Sequence, residues 1–116
     1  MDYKMLAIAR NDLKMGKGKL AAQCGHAFIE TFLKAQRKTP EAVEAWLASG
    51  QQKVVVKVDS EKELLALFEE LKRHFPAALV IDAGHTQVEP GTKTCMGVGP
   101  AKESELDKFT AHLKLM

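Results

Sequence analysis

Three short apolar, partly β-branched runs alternate with helix-like stretches, and this alternation constrains the fold most. The runs are Met5-Leu-Ala-Ile-Ala9, Lys53-Val-Val-Val-Lys-Val58 and Ala78-Leu-Val-Ile81. Strands that alternate with helices favour a mixed sheet with helices on both faces. The first run is continuously apolar, as expected of a strand buried on both sides. The intervening segment from Lys19 to about Lys38 is rich in helix formers and free of proline. A second short helix is expected over Glu41–Ala48, with Pro40 at its start and Gly50 just past its end.

The second half continues the pattern. Ser60 precedes Glu63 by three positions, a capping box that opens a helix running to about Phe75, where Pro76 stops it. A third strand over Ala78–Ile81 leads into a turn-rich segment, residues 82–91, and a fourth strand over Thr92–Val98. That connection is too short for a helical crossover, so strands three and four are expected to be antiparallel. Gly99-Pro100 reads as a break, Ser104–His112 as a final helix, and Leu113–Met116 as an apolar tail able to dock as an edge strand.

The 116 residues suit one domain spanning 1–116. At 46% apolar and 28% charged residues, such a chain buries enough surface to fold with neither disulfide nor metal. No apolar run approaches the roughly 20 residues needed to cross a bilayer. The opening Met1-Asp2-Tyr3-Lys4 leaves no room for a basic stretch and apolar core, so no signal peptide is expected. Cys24 and Cys95 lie far apart with neither a CxxC nor a zinc-type spacing, and read as small buried residues in a reducing compartment. Residues 1–38 hold eight Lys/Arg against three acids, whereas residues 39–116 hold nine against twelve. A basic segment on a near-neutral chain suits an anionic partner such as phosphate or nucleic acid, and is equally what solvated lysines on element ends produce.

Three places could carry chemistry. Gly16-Lys17-Gly18-Lys19 falls between a strand and a helix, where free backbone N–H groups and the helix dipole favour an anion. It is not a Walker A loop, which needs Gly at 13 and Ser or Thr at 20; the chain has Leu13 and Leu20. Lys19, Gln23, His26 and Glu30 are spaced four, three and four apart and share one helix face, either a solvent face or the wall of a cleft. Asp82 follows the third strand, at the sheet edge where α/β folds open their ligand crevices, with Gly84 and Thr86 close behind. An aspartate there also serves as a plain turn former. Thr92 and Thr94 lie two apart on a strand and point to one side. There is no G-x-S-x-G elbow and no H-E-x-x-H, so a hydrolase built on this chain would use water rather than serine as its nucleophile. Few aromatics are placed to stack single-stranded bases.

Together these segments resemble the archaeal/eukaryotic-type (type 2) peptidyl-tRNA hydrolases. The resemblance is carried by residues 9–23 (ARNDLKMGKGKLAAQ), 52–58 (QKVVVKV), 82–94 (DAGHTQVEPGTKT), 97–100 (GVGP) and 112–115 (HLKL), in the same order along the whole chain. The chain departs from it at Ile81 and His85, which stand where many relatives carry Arg, and at Cys24-Gly25, where Val-Ala is common. The resemblance implies an α/β fold with three layers, α/β/α, around a central mixed four-stranded sheet with helices on both faces. It implies a cytoplasmic homodimer that needs no cofactor and no metal, and involves neither membrane nor DNA. The implied reaction is hydrolysis of the ester joining a peptide to the 3′-terminal ribose of peptidyl-tRNA, which returns the tRNA to translation. The matching positions give Lys19, Asp82, Thr86 and Thr94 as catalytic residues. Gln23 and His26, with the basic Arg10, Lys14 and Lys17, are the expected substrate contacts. The competing expectations are a non-catalytic tRNA-binding or adaptor module and a deacylase of mischarged aminoacyl-tRNA.

Overall fold

The computed structural model describes residues 2–84 and 88–116. Tyr3–Arg10 form β1, from which the sheet is built outward on both sides. The chain then runs α1 (Lys17–Lys38), α2 (Pro40–Ala48), β2 (Lys53–Val58), α3 (Glu61–Leu71), β3 (Ala77–Ile81), β4 (Lys93–Lys102), α4 (Glu103–Thr110) and β5 (Lys114–Leu115). The strands lie in the order β3-β4-β1-β2-β5. β1 and β2 are parallel, joined through α1 and α2. β4 is antiparallel to both β1 and β3, as the short 82–91 connection requires.

Alternate residues of β1 feed two different cores. Leu6 and Ile8 join Val56, Leu64, Met96 and Leu106 beneath α3 and α4. Ala7 and Ala9 join Cys24, Ala27, Val80 and Cys95 beneath α1. α2 packs beside α1, with the Trp46 ring 6.1 Å from that of Phe32 and its indole N–H bonded to the Gln52 carbonyl at 2.8 Å. The α1 side is built from small residues, so helix and sheet approach closely. At Gly97 of β4 a Cβ would meet the Thr31 hydroxyl and lie 2.6 Å from the Ala27 carbonyl oxygen. No other residue fits there without moving α1.

Several expected boundaries shift. Among the described residues the sheet has five strands rather than four. The apolar tail pairs with β2, Leu115 opposite Val56, and Met116 N–H bonds the Val55 carbonyl at 2.9 Å. Docking it covers what would otherwise be an open edge of β2. Gly99-Pro100 does not break β4, which runs on to Lys102. The register shift between Lys4 and Leu6 on β1 lies opposite this dipeptide and accommodates the proline, which cannot donate to the ladder. α1 starts at Lys17 rather than Lys19. α3 ends at Leu71 rather than Phe75, because the last turn tightens into Arg73 N–H to Glu70 and His74 N–H to Leu71 bonds ahead of Pro76. The final helix ends at Thr110, not His112, and the fourth strand begins at Lys93.

Candidate active site

Gly16 caps α1 without a side-chain bond, so Lys17, Gly18 and Lys19 make up its first turn. That turn holds two cations and no acid. Cations at the positive end of a helix dipole are unfavourable, so the arrangement calls for a compensating anion. Asp82, just past the end of β3, supplies one. Lys19 Nζ donates to Asp82 Oδ1, and Gly84 N–H donates to Asp82 Oδ2 at 2.6 Å. The Asp82 backbone is tied to the return strand, its N–H to Thr92 O at 2.8 Å and its carbonyl to Gly91 N–H at 2.9 Å. Both ends of the side chain and of the backbone are therefore fixed.

One turn further along α1, Gln23 is buried and its side-chain oxygen accepts a bond from the Thr94 hydroxyl. The neighbouring Cys95 thiol donates to the Gln23 carbonyl at 3.3 Å. Thr94 and Cys95 thus hold this turn of α1 onto β4. Thr94 itself is fully buried and bonds Gln23, which lines the cleft. Cys24 and Cys95 are both free thiols in this layer. Hydrogen bonding to Cys24, together with burial, pushes the Cys95 thiol far above its ordinary range.

An open cleft of about 780 Å³ lies between α1 and β3. Lys19, Gln23, His26, Glu30 and Lys34 line one wall, and Asp82 with the β3 residues lines the other. The polar stripe along α1 is thus a cleft wall. Lys34 continues its four-residue spacing beyond Glu30 and was discernible from that period, although it was not among the expected residues. Lys14 and Lys17 are exposed outside the cleft lining, near the Lys19 end of α1. Arg10 does not line the cleft: it shares the β1 face of Leu6 and Ile8 and bonds Asp12 and the Lys93 carbonyl. Thr86 lies outside the described residues. Among the described residues, no group of three or more His, Cys, Asp or Glu is placed to hold a metal ion, and no helix is long and apolar enough to cross a membrane.

Comparison with known proteins gives this arrangement a family. The family model described as peptidyl-tRNA hydrolase PTH2 matches residues 3–116. A peptidyl-tRNA hydrolase of Methanocaldococcus jannaschii is 55% identical over 114 residues, covering 97% of this chain and 99% of that protein. One of Methanococcus vannielii is 51% identical over 115 residues, covering 98% and 99%. The human mitochondrial peptidyl-tRNA hydrolase 2 is 48% identical over 115 residues, which is 98% of this chain and 64% of the human one. With the match running over residues 3–116, the chain belongs to the peptidyl-tRNA hydrolase PTH2 family.

Proposed function

We propose that this chain cleaves the ester between peptide and tRNA at the Lys19–Asp82 end of the cleft. Water adds to the ester carbonyl and charge collects on the carbonyl oxygen; as the bond to the ribose breaks, the 3′-oxygen takes up the proton that the attacking water gives up, leaving a free peptide acid and free tRNA. A positive group fixed beside the developing oxyanion lowers this barrier most. Lys19 is that group. Asp82 is its positioning residue: one carboxylate oxygen holds the ammonium and the other accepts from Gly84 N–H, which fixes the carboxylate beside Lys19. Gln23, locked by Thr94, presents its carboxamide to the same end of the cleft, and His26 lies one turn on. The buried Lys19–Asp82 pair carries this reading. Thr86 keeps the catalytic role that the family resemblance implies for it. Lys14 and Lys17 would meet the acceptor-stem phosphates, a sequence-independent contact. Arg10 would brace the loop that carries Lys14 through its bonds to Asp12 and Lys93.

The chain acts in the cytoplasm as a homodimer in this reading. Two free buried cysteines suit a reducing compartment. Ile29 and Leu33, one turn apart on α1, are 61% and 51% exposed and offer a second copy an apolar surface. Ile29→Glu with Leu33→Glu should shift the sedimentation coefficient to that of a monomer.

The deciding assay measures release of N-acetyl-amino acid from N-acetyl-aminoacyl-tRNA with EDTA present. Wild type should turn over and Lys19→Ala should not. Intact tRNA binding without turnover in the wild type would make the chain a binding module. Faster cleavage of unblocked aminoacyl-tRNA would make it a deacylase of mischarged tRNA.

A further inference from the structure

The cleft does not end at Lys19 and Asp82 but continues along β3, which among the described residues has a strand, β4, on one side only. The phase of the β3–β4 ladder shows which backbone groups are left open. Gly99 N–H donates to the Pro76 carbonyl at 2.9 Å, and the register then pairs Ala77 with Val98 and Ala78 with Gly97. Bonded and non-bonded pairs alternate along antiparallel strands. Ala78 and Val80 therefore bond β4, while Ala77 and Leu79 turn their N–H and C=O outward. Lys34 confirms the phase by donating to the outward Ala77 carbonyl at 3.0 Å. Leu79 lines the cleft although its side chain packs into the core on the opposite face of the sheet. What it presents to the cleft is its backbone. Past the register shift between Val80 and Ile81, Asp82 turns its own N–H and C=O back to Thr92 and Gly91. The open edge thus runs from Leu79 to Ile81 and ends at the Lys19–Asp82 pair.

We infer that this edge is the subsite for the peptide of peptidyl-tRNA, which lies extended between α1 and β3 and pairs with the Leu79 backbone. The inference rests on ester cleavage at the Lys19–Asp82 end. An enzyme that releases peptides of any sequence needs a subsite that reads main chain rather than side chains, and a strand edge does that. With the ester at Asp82 the peptide runs parallel to β3, its upstream residues toward Ala77. Three positions separate Asp82 from Leu79, roughly 10 Å of extended chain. Pairing therefore engages the second to fourth peptide residues counted from the ester. Lys34, already on the Ala77 carbonyl, closes the edge beyond them.

The test uses the intact protein and altered substrates. Tetrapeptidyl-tRNAs of one sequence are compared, each carrying a single backbone N-methyl group at a different residue. In a strand, alternate residues direct their N–H toward the partner, so sensitivity should alternate. kcat/KM should fall roughly three- to tenfold at a paired amide, the worth of one hydrogen bond, and stay unchanged at its neighbours. Lengthening unmethylated substrates from one to four residues should raise kcat/KM, with no gain beyond four. Equal rates for all methylated substrates, or an equal loss at every position, overturns the inference and leaves the hydrolase reading standing. Failure to cleave any of them overturns both. Leu79→Pro removes one outward N–H and no bond to β4. It should lower kcat/KM for the unmethylated tetrapeptidyl-tRNA roughly three- to tenfold, because a substrate carbonyl loses its donor, and leave the alternation in place, because the Leu79 carbonyl still accepts from the paired amide. If it instead turns a dimer into a monomer with kcat/KM unchanged, the edge belongs to a second copy and the inference falls.

Discussion

Lys19 and Asp82 stand 63 positions apart in the chain and meet as an ion pair whose side chains are 10% and 3% exposed. The pair joins the first turn of α1 to the end of β3 across the mouth of the cleft. Breaking a buried pair by removing one partner leaves the other charged, unpaired and desolvated. Lys19→Ala should therefore lower stability by about 3–5 kcal/mol and kcat by about 10²–10³-fold. The double variant Lys19→Ala/Asp82→Ala should recover much of the stability and none of the activity. Urea denaturation beside single-turnover kinetics separates the two effects. Equal activity in the wild type and Lys19→Ala would remove Lys19 from the reaction.

Thr94 touches the cleft at one remove. Its hydroxyl is buried and donates to the Gln23 side chain, which lines the cleft. Thr94→Val keeps the shape and deletes the donor, leaving a buried carboxamide oxygen short of a partner. The expected cost is about 1–3 kcal/mol of stability. If Thr94 positions Gln23, KM or kcat should worsen as well, and Thr94→Ser should restore both. Recovery of stability without recovery of activity in Thr94→Ser would reduce Thr94 to a packing residue.

Much of this site is legible in the sequence because it follows local rules. Lys19, Gln23, His26 and Glu30 share a face by helical period alone, and Asp82 falls at the strand end where α/β clefts open. The period could not tell a solvent face from a cleft wall. That depends on β3 lying across from α1, which is set by strand order, and strand order is a long-range property. The open backbone of Leu79 was invisible for the same reason. Gly99-Pro100 reads as a break because proline cannot donate to a ladder, but a shift in the β1 register absorbs the missing bond. The last helix ends two residues before His112, and the tail docks as the edge strand its apolar pattern allows, on β2, a partner that only the long-range strand order decides.

Arg10 and Asp12 give the fold a pH dependence separate from the cleft. The guanidinium donates to both carboxylate oxygens, Nε at 3.1 Å and Nη2 at 2.7 Å. This bond, with the charge of Arg10, holds the Asp12 carboxyl below its ordinary value of 3.8. A depressed carboxyl stabilises the fold above its unfolded pKa, and that contribution fades as the pH falls toward the folded value. Most of the contribution therefore disappears as the pH falls below the ordinary value of 3.8. Both groups lie near the surface, so its size at neutral pH is under about 1 kcal/mol. Urea midpoints measured from pH 7 to pH 3 should converge for wild type and Arg10→Ala at the acid end. Curves that stay parallel throughout would show that the pair contributes no pH-dependent stability.

Lys17 should affect stability and binding with opposite signs. It lies in the first turn of α1, where the dipole disfavours a cation and no acid offsets it. It is exposed and lies outside the cleft lining, so its removal leaves no buried group unpaired. Lys17→Ala should therefore raise stability by about 0.3–1 kcal/mol. In the proposed function the same lysine, with Lys14 on the loop before it, meets acceptor-stem phosphates. Each removal should weaken tRNA binding equally for all tRNA sequences and flatten the plot of log K against log salt by roughly 0.7–0.9. kcat should not change, because neither side chain reaches the Lys19–Asp82 end. Thermal melts and filter binding over a salt series measure both quantities on the same variant. A Lys17→Ala protein that melts higher and still binds tRNA with an unchanged salt slope would show that this lysine meets no phosphate.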